Sequence, residues 1–150
     1  MKPTMIMHST KVLASMDRLR QRTPHASGMA MSRACEMLRG YIVSKKLSGQ
    51  VLKRPTGKLA GSIDKEVITQ KNMVIGRVGS NLKYARIHEL GGVIRPVRAE
   101  YLCFKVDGQF VKTKEVIIPK RSYIGTSLKE YRTNLQKILG RTFWTEVTSG

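Results

Sequence analysis

Apolar residues recur at helical spacing over the first third of the chain. A first amphipathic helix is predicted from residue 9 to about residue 22, capped by Ser9 or Thr10, with a stripe of Val12, Leu13, Met16 and Leu19. The residue before a proline is disfavoured in the helical region, so Thr23 and Pro24 predict a break. A second helix is predicted from about residue 26 to residue 46, with a stripe of Ala30, Ala34, Leu38, Tyr41 and Ile42.

The middle of the chain has the alternation of β-strands. Residues 62–70 and 73–78 predict one antiparallel hairpin, and residues 101–106 and 109–116 predict another around the turn pair Asp107-Gly108. Between them a short helix is predicted, capped by Asn81 and stopped by Gly91. Pro119 should end strand pairing because it lacks an N–H group. The final helix is predicted from Thr126 or Ser127.

These elements predict an α+β fold: two N-terminal helices, a small antiparallel sheet of about four to five strands with a short helix inserted, and a C-terminal helix. A chain of 150 residues suits one hydrophobic core, so residues 1–150 are expected to form a single domain. Residues 1–8 are expected to be an N-terminal tail and residues 141–150 a C-terminal tail, whose Phe143 and Trp144 either dock on the body or anchor a partner. Residues 47–61 predict a basic, flexible loop.

The charge balance is strongly positive. The 28 Lys and Arg residues outnumber the 10 Asp and Glu residues, which leaves a net charge of +18. Such a chain is attracted to phosphate backbones, anionic membranes or acidic protein surfaces, although a basic surface that is merely solvated remains the alternative. No stretch approaches the roughly 20 apolar residues of a membrane span, nor is there a signal-peptide core, so we expect a soluble protein without a membrane partner.

Metal and nucleotide signatures are incomplete. His8, His25 and His88 are scattered, and His88-Glu89 is followed by Gly92 where a metalloprotease helix needs its second histidine. Thr56-Gly57-Lys58 lacks the first glycine and the final Ser or Thr of a phosphate-binding loop. We therefore expect no metal, no cofactor and no enzymatic activity.

Two alternatives remain open at this point. Cys35 and Cys103 are expected to be free thiols, but a disulfide, or a nucleophilic pair of either cysteine with His88, is compatible with the sequence. Basic loops together with the strand aromatics Tyr101, Phe104 and Phe110 would also suit a sequence-nonspecific nucleic-acid-binding protein, although strand aromatics equally form a core.

A series of short motifs between about residues 55 and 127 resembles a known family. The motifs are Thr56-Gly57-Lys58-Leu59, Ser62-Ile63, Val74-Ile75-Gly76, the segment 84–92 (YARIHELGG) and the segment 118–125 (IPKRSYIG). Their order and spacing are similar to those of the virion morphogenesis and tail-completion proteins of tailed bacteriophages.

The resemblance implies a structural protein without catalytic residues. It would complete the tail or join head to tail at the neck, as a homo-oligomeric ring, by family resemblance a hexamer, between the head connector and the tail tube around the DNA channel. The implied partners are the head connector or adaptor, tail terminator or tail tube proteins, and double-stranded DNA in the lumen. The implied location is the virion, with the host cytoplasm during assembly.

Two sets of residues are expected to serve this role, the first carried over from the resemblance and the second selected for positive charge. Residues that would hold the sheet and shape the subunit contact are Tyr84, His88, Glu89, Gly91, Gly92, Pro119 and Tyr123. Candidates for contacts to acidic partners or to DNA are Lys53, Arg54, Lys58, Arg95, Arg98, Lys120 and Arg121.

Overall fold

A computed structural model describes residues 10–48, 57–71, 73–106 and 108–149. That part of the chain contains α1 (Thr10–Tyr41), a π-helical turn (Ile42–Lys46), α2 (Lys58–Gly61), β1 (Ile63–Gln70), β2 (Met73–Ser80), α3 (Lys83–Leu90), β3 (Gly92–Ile94), β4 (Leu102–Val106), β5 (Gln109–Thr113), β6 (Val116–Ile118) and α4 (Tyr123–Thr148). The predicted α+β class is confirmed. The N-terminal tail at 1–8, Lys53, Arg54 and Asp107 lie outside the described residues.

The N-terminal segment is one continuous helix, so the predicted break at Thr23 and Pro24 is wrong. Interior proline costs a helix about 3 kcal/mol because it removes one backbone hydrogen bond. Packing on the C-terminal side of Pro24 compensates part of that cost, since Ala26 and Ala30 are only 1% and 3% exposed. Of the predicted stripe, Met16 and Leu19 are exposed.

The strands of the described residues form three two-stranded sheets where one sheet was expected. β1 pairs with β2 across a two-residue connection, which only an antiparallel pair permits. β4 and β5 form the predicted hairpin, with Phe104 opposite Val111 and Lys105 opposite Phe110. β6 does not extend that hairpin: it pairs antiparallel with β3, so that Val93 lies opposite Ile117.

By contacts, the chain divides into two compact units, each assembled from separated stretches of sequence. The first comprises the described parts of residues 1–37, 65–77 and 133–150. Its buried side chains include Ala26, Ala30, Ala34 and Cys35 of α1 and Val147 of α4. The small residues of α1 let the hairpin approach closely, and Lys65 of β1 forms an ion pair with Glu36 at 3.1 Å. The expectation of a single domain stays a prediction.

The second unit comprises residues 38–64 and 78–132 where they are described. Ile42 and Leu47 are both buried, because the π-helical hydrogen bond from the Leu47 amide to the Ile42 carbonyl brings residues five apart to one side. The ring of Tyr41 stacks on Tyr131 at 4.7 Å between centroids. Glu130 accepts hydrogen bonds from both the Tyr41 hydroxyl at 2.8 Å and Lys46 at 2.9 Å.

Two predicted irregular segments are partly helical. Residues 141–148 belong to α4, so the predicted C-terminal tail is wrong for all but the last residues. In the predicted loop 47–61, Leu47 is buried and Lys58–Gly61 form α2, while residues 49–56 lie outside the described residues. In the described chain, no helix combines the length and the apolar character needed to cross a membrane.

Gly76 provides a test of the packing between β2 and α1. A Cβ atom at Gly76 would collide with Cys35 Sγ and lie 2.7 Å from Met31 Sδ, so both side chains would have to move. We expect Gly76→Ala to lower the free energy of unfolding by about 1–3 kcal/mol, as overpacking does. Gly79→Ala is the control on the same strand, because its Cβ would meet nothing within 4 Å. Urea denaturation measures both variants, and equal stability of the two would contradict this packing.

Candidate functional site

The two segments singled out by the sequence meet at the carboxylate of Glu89. The Ile124 amide donates to Glu89 Oε2 at 2.8 Å, and the Gly125 amide donates to Oε1 at 2.9 Å. The Ser122 hydroxyl also donates to Oε1, at 3.2 Å. These amides lie in the first turn of α4 and have no partner within the helix, so a side chain from the end of α3 caps α4 and complements its dipole.

Backbone hydrogen bonds reinforce the same junction. The Arg121 amide donates to the His88 carbonyl at 3.0 Å, and the Ser122 amide donates to the Glu89 carbonyl at 3.1 Å. Ser122 has a φ of 38°, which is unfavourable for a residue with a side chain. Five hydrogen bonds, four from backbone amides of residues 121–125 and one from the Ser122 hydroxyl, therefore hold this strained turn in place.

The side chain of Tyr123 fills the space beneath the junction. It is 1% exposed, and its hydroxyl donates to the Ala85 carbonyl at 3.4 Å. Burial, and then the nearby charge of Glu89, raise the pKa of Tyr123 to about 12. Tyr123 is therefore a neutral packing residue of the junction at physiological pH.

Gly91 ends α3 and allows the chain from Pro119 onward to pass close by. Its φ is 73°, and a Cβ atom there would lie 2.8 Å from the Lys120 backbone nitrogen. The predicted stop at Gly91 is confirmed. The predicted cap at Asn81 is wrong: Leu82 directly precedes α3 without a side-chain cap hydrogen bond, and its amide donates to the Ser80 hydroxyl at 3.2 Å.

His88 has a buried ring nitrogen at the junction. Within the described residues, no hydrogen-bond partner reaches its Nδ1 atom. The ring of Tyr84 meets the imidazole edge-on, with centroids 6.1 Å apart. Burial lowers the pKa of His88, and the positive charge of Arg121 lowers it further. The neutral imidazole is therefore the form that fits the folded junction.

The predicted basic contact residues do not form one cluster. Arg95 pairs with Glu115 at 3.0 Å, just beyond the Ile94 end of the β3–β6 ladder. Lys120 and Arg121 follow the opposite end of that ladder, and Lys58 begins α2. Arg98 is exposed in the irregular connection between β3 and β4. Their contacts with other molecules stay a prediction.

A basic surface that the sequence analysis did not single out lies on the β4–β5 hairpin. Lys105 Nζ sits 4.6 Å from the centroid of the Phe110 ring, and Lys112 Nζ sits 4.1 Å from that of Tyr101. The sequence indicates one strand of this face, because Tyr101, Cys103 and Lys105 alternate with apolar residues. Only the structure shows that pairing with β5 places Lys112 opposite Cys103 on the same face.

The first unit contains a cavity of about 530 Å³. Pro24 and Met31 of α1, Val74 of β2, and Leu139 and Phe143 of α4 contribute apolar walls. Phe143 thus contacts the body of the first unit, whereas Trp144 is exposed. Among the described lining residues, Lys71 is the only ionisable one. The cavity lining therefore lacks the combination of groups that acid–base or nucleophilic catalysis requires.

The cysteines and acidic residues were the other candidates for chemistry. Cys35 and Cys103 are both free thiols, as expected. Burial raises the pKa of Cys35, whereas an activated thiol needs a lowered one. In the part of the chain that is described, His, Cys, Asp and Glu side chains do not gather in threes as a metal site requires.

Comparison with known protein families shows which family the chain belongs to. The sequence model of the phage virion morphogenesis family matches residues 11–143, which is most of the chain. The chain belongs to the phage virion morphogenesis family. The resemblance inferred from the short motifs is therefore confirmed, and the match extends over α1 and most of α4 as well. Searches of curated proteins and of solved structures gave no match.

Membership in the virion morphogenesis family gives the chain a role in building the phage particle. Within the matched region, Glu89 accepts two short hydrogen bonds at the junction, from the amides of Ile124 and Gly125. The carboxylate of Glu89, together with the backbone hydrogen bonds from Arg121 and Ser122, therefore joins the end of α3 to the start of α4.

Removing the Glu89 carboxylate should weaken the folded state. Glu89→Ala leaves two helix amides and the Ser122 hydroxyl without their acceptor, and we expect a loss of about 2–3 kcal/mol in the free energy of unfolding. Glu89→Gln should lose less, because one amide oxygen still accepts. Glu66→Ala is the control: its exposed ion pair with Arg77, at 3.2 Å, should contribute less than about 1 kcal/mol. Equal losses for Glu89→Ala and Glu66→Ala in urea denaturation would rule out the cap.

His88 should make stability depend on pH. Its folded pKa is below the unfolded value of about 6.5, so the unfolded chain binds the proton more readily. The stabilisation is fully present above pH 6.5 and is lost as the pH falls through the folded pKa. We expect the free energy of unfolding to decrease from pH 7 to pH 5, and His88→Gln to reduce this decrease. Exposed His25 provides the control, and a His25→Gln effect as large as that of His88→Gln would contradict the assignment.

Proposed function

We propose that this chain is a structural subunit of the phage neck, which completes the tail and joins it to the head. The family match over residues 11–143 carries the proposal. In this role the chain forms a homo-oligomeric ring, a hexamer, between the head connector and the tail tube around the DNA channel. Its partners are the head connector or adaptor, tail terminator or tail tube proteins, and DNA in the lumen. The protein acts without catalysis and reaches the virion from the host cytoplasm.

Exposed apolar side chains on the β3–β6 sheet support self-association. Val93 and Ile117 face each other across the strands, yet they are 47% and 71% exposed. Val97, just beyond β3, is 96% exposed. A two-stranded sheet has two open edges and is only marginally stable by itself. A neighbouring subunit that covers this apolar pair would remove it from water and stabilise the sheet.

The charge of the chain supports a position among anionic neighbours. A ring multiplies the net charge of +18 per subunit, and such a ring repels itself unless acidic proteins or DNA surround it. The exposed cations Lys58, Arg98 and Lys120, with Lys53 and Arg54 of the basic loop, remain candidates for these contacts. Sequence-nonspecific nucleic-acid binding by itself is the second candidate function, which the basic face of the β4–β5 hairpin favours.

Disruption of the gene in its phage tests the proposed role. We expect filled heads and finished tails to accumulate unjoined, as seen by negative-stain microscopy of the lysate. Supplying the intact chain from a plasmid should restore joined particles. Joined, infectious particles formed without the chain would refute a neck function, whereas a failure to fill heads would favour a role in DNA handling.

A single substitution tests the proposed subunit contact. Ile117→Asp places a charge on the exposed apolar pair, and we expect it to prevent ring formation in native mass spectrometry and to fail in complementation. Gln136→Asp adds the same charge at an exposed polar position of α4 and should behave as the intact chain does. Circular dichroism establishes that both variants fold. Rings formed by folded Ile117→Asp would exclude the β3–β6 sheet as the contact.

A further inference from the structure

The β4–β5 hairpin has two chemically different faces. Side chains alternate along each strand, and residues directly opposite one another share a face. Leu102, Phe104 and Val111 lie on the apolar face. The pairs Cys103 with Lys112 and Lys105 with Phe110 lie on the other. Tyr101 before β4 and Lys114 after β5 continue this second face, because they are two residues from Cys103 and Lys112. We call this second side the lysine face.

The lysines of this face are held in place by aromatic rings. Lys105 Nζ lies 4.6 Å from the Phe110 centroid, while Lys112 and Lys114 lie 4.1 and 5.8 Å from the Tyr101 centroid. An ammonium over a ring is attracted by the negative face of the π-system, yet it stays accessible to solvent. All three lysines are exposed, and so is Phe110, at 79%. The rings thus order three positive charges at the surface without neutralising them.

Acidic side chains are sparse in the described part of the hairpin. Residues 101–106 and 108–114 include no Asp or Glu, while Asp107 of the turn lies outside the described residues. Of the two flanking acids, Glu115 pairs with Arg95 at 3.0 Å, and Glu100 is hydrogen-bonded to the Tyr101 hydroxyl. The described part of the hairpin therefore presents three exposed cations that attract an anionic partner.

We propose that the lysine face binds the phosphate backbone of duplex DNA through Lys105, Lys112 and Lys114. Lysine is depleted from protein–protein interfaces, and this face lacks the arginine fork that pairs with carboxylates, so phosphate fits better than an acidic protein. The rings are already in contact with ammonium groups, which favours contact with a backbone over the stacking of single-stranded bases. Binding is independent of sequence. The inference does not depend on the neck or on ring formation, because it concerns one hairpin of one chain.

Titration of a short labelled duplex with the full-length protein, followed by fluorescence anisotropy at several salt concentrations, tests the proposal. Each phosphate contact contributes about 0.9 to the slope of log affinity against log salt. Lys105→Gln, Lys112→Gln and Lys114→Gln together should therefore reduce the slope by about 2–3. Between 50 and 200 mM salt, the intact protein should lose roughly 40-fold more affinity than this variant does.

A second triple variant separates this face from the overall charge. Lys83→Gln, Lys129→Gln and Lys137→Gln remove the same charge from exposed positions of α3 and α4 and should leave the slope nearly unchanged. Arginine at the three hairpin positions should preserve duplex binding. Equal slopes for the two Gln variants would overturn the proposal, as would hairpin-dependent binding of poly-glutamate without binding of duplex. A preference for single-stranded DNA that Phe110→Ala abolishes would overturn the backbone assignment.

Discussion

The carboxylate of Glu89 connects the end of α3 to the start of α4, and the segment between them is organised around that connection. The carboxylate accepts hydrogen bonds from two amides of α4 at 2.8 and 2.9 Å, and so takes the place of a capping side chain next to the helix in sequence. The chain that leaves α3 forms β3, and the chain that enters α4 comes from β6, so the β3–β6 pair is closed at one end by this carboxylate. A negative charge at a helix start is favourable, and the Gly91 turn provides the required approach.

The second unit places its strands in small, separate pairs, which leaves apolar and basic side chains exposed. Val93 and Ile117 are exposed on β3–β6, whereas three lysines are exposed on β4–β5. In a free protein, a two-stranded sheet with an exposed apolar pair contributes little stability. We propose different neighbours for the two kinds of surface: another subunit for the apolar pair and a polyanion for the lysine face.

The importance of the segments 84–92 and 118–125 was predictable from the motifs, but the contact that joins them was not. Glu89 and Gly125 are separated by 36 residues, and no periodicity relates them. The sequence predicts basic contacts mainly in loops, where positive charge is dense along the chain. The lysine face was overlooked because Lys105 and Lys112 become neighbours of one face only through the register of β4 with β5.

The sequence by itself determined the local features: the α+β class, the Asp107-Gly108 hairpin, the stop at Gly91 and the departure from the sheet at Pro119. Each depends on the backbone preferences of one or two residues. The tertiary structure decided the continuity of α1 through Pro24, the pairing of β3 with β6 and the start of α4 at Tyr123 rather than at Thr126. In these places burial of Ala26 and Ala30, strand partners far away in sequence, and a cap from Glu89 outweigh local propensity, because their energies arise only when distant segments meet.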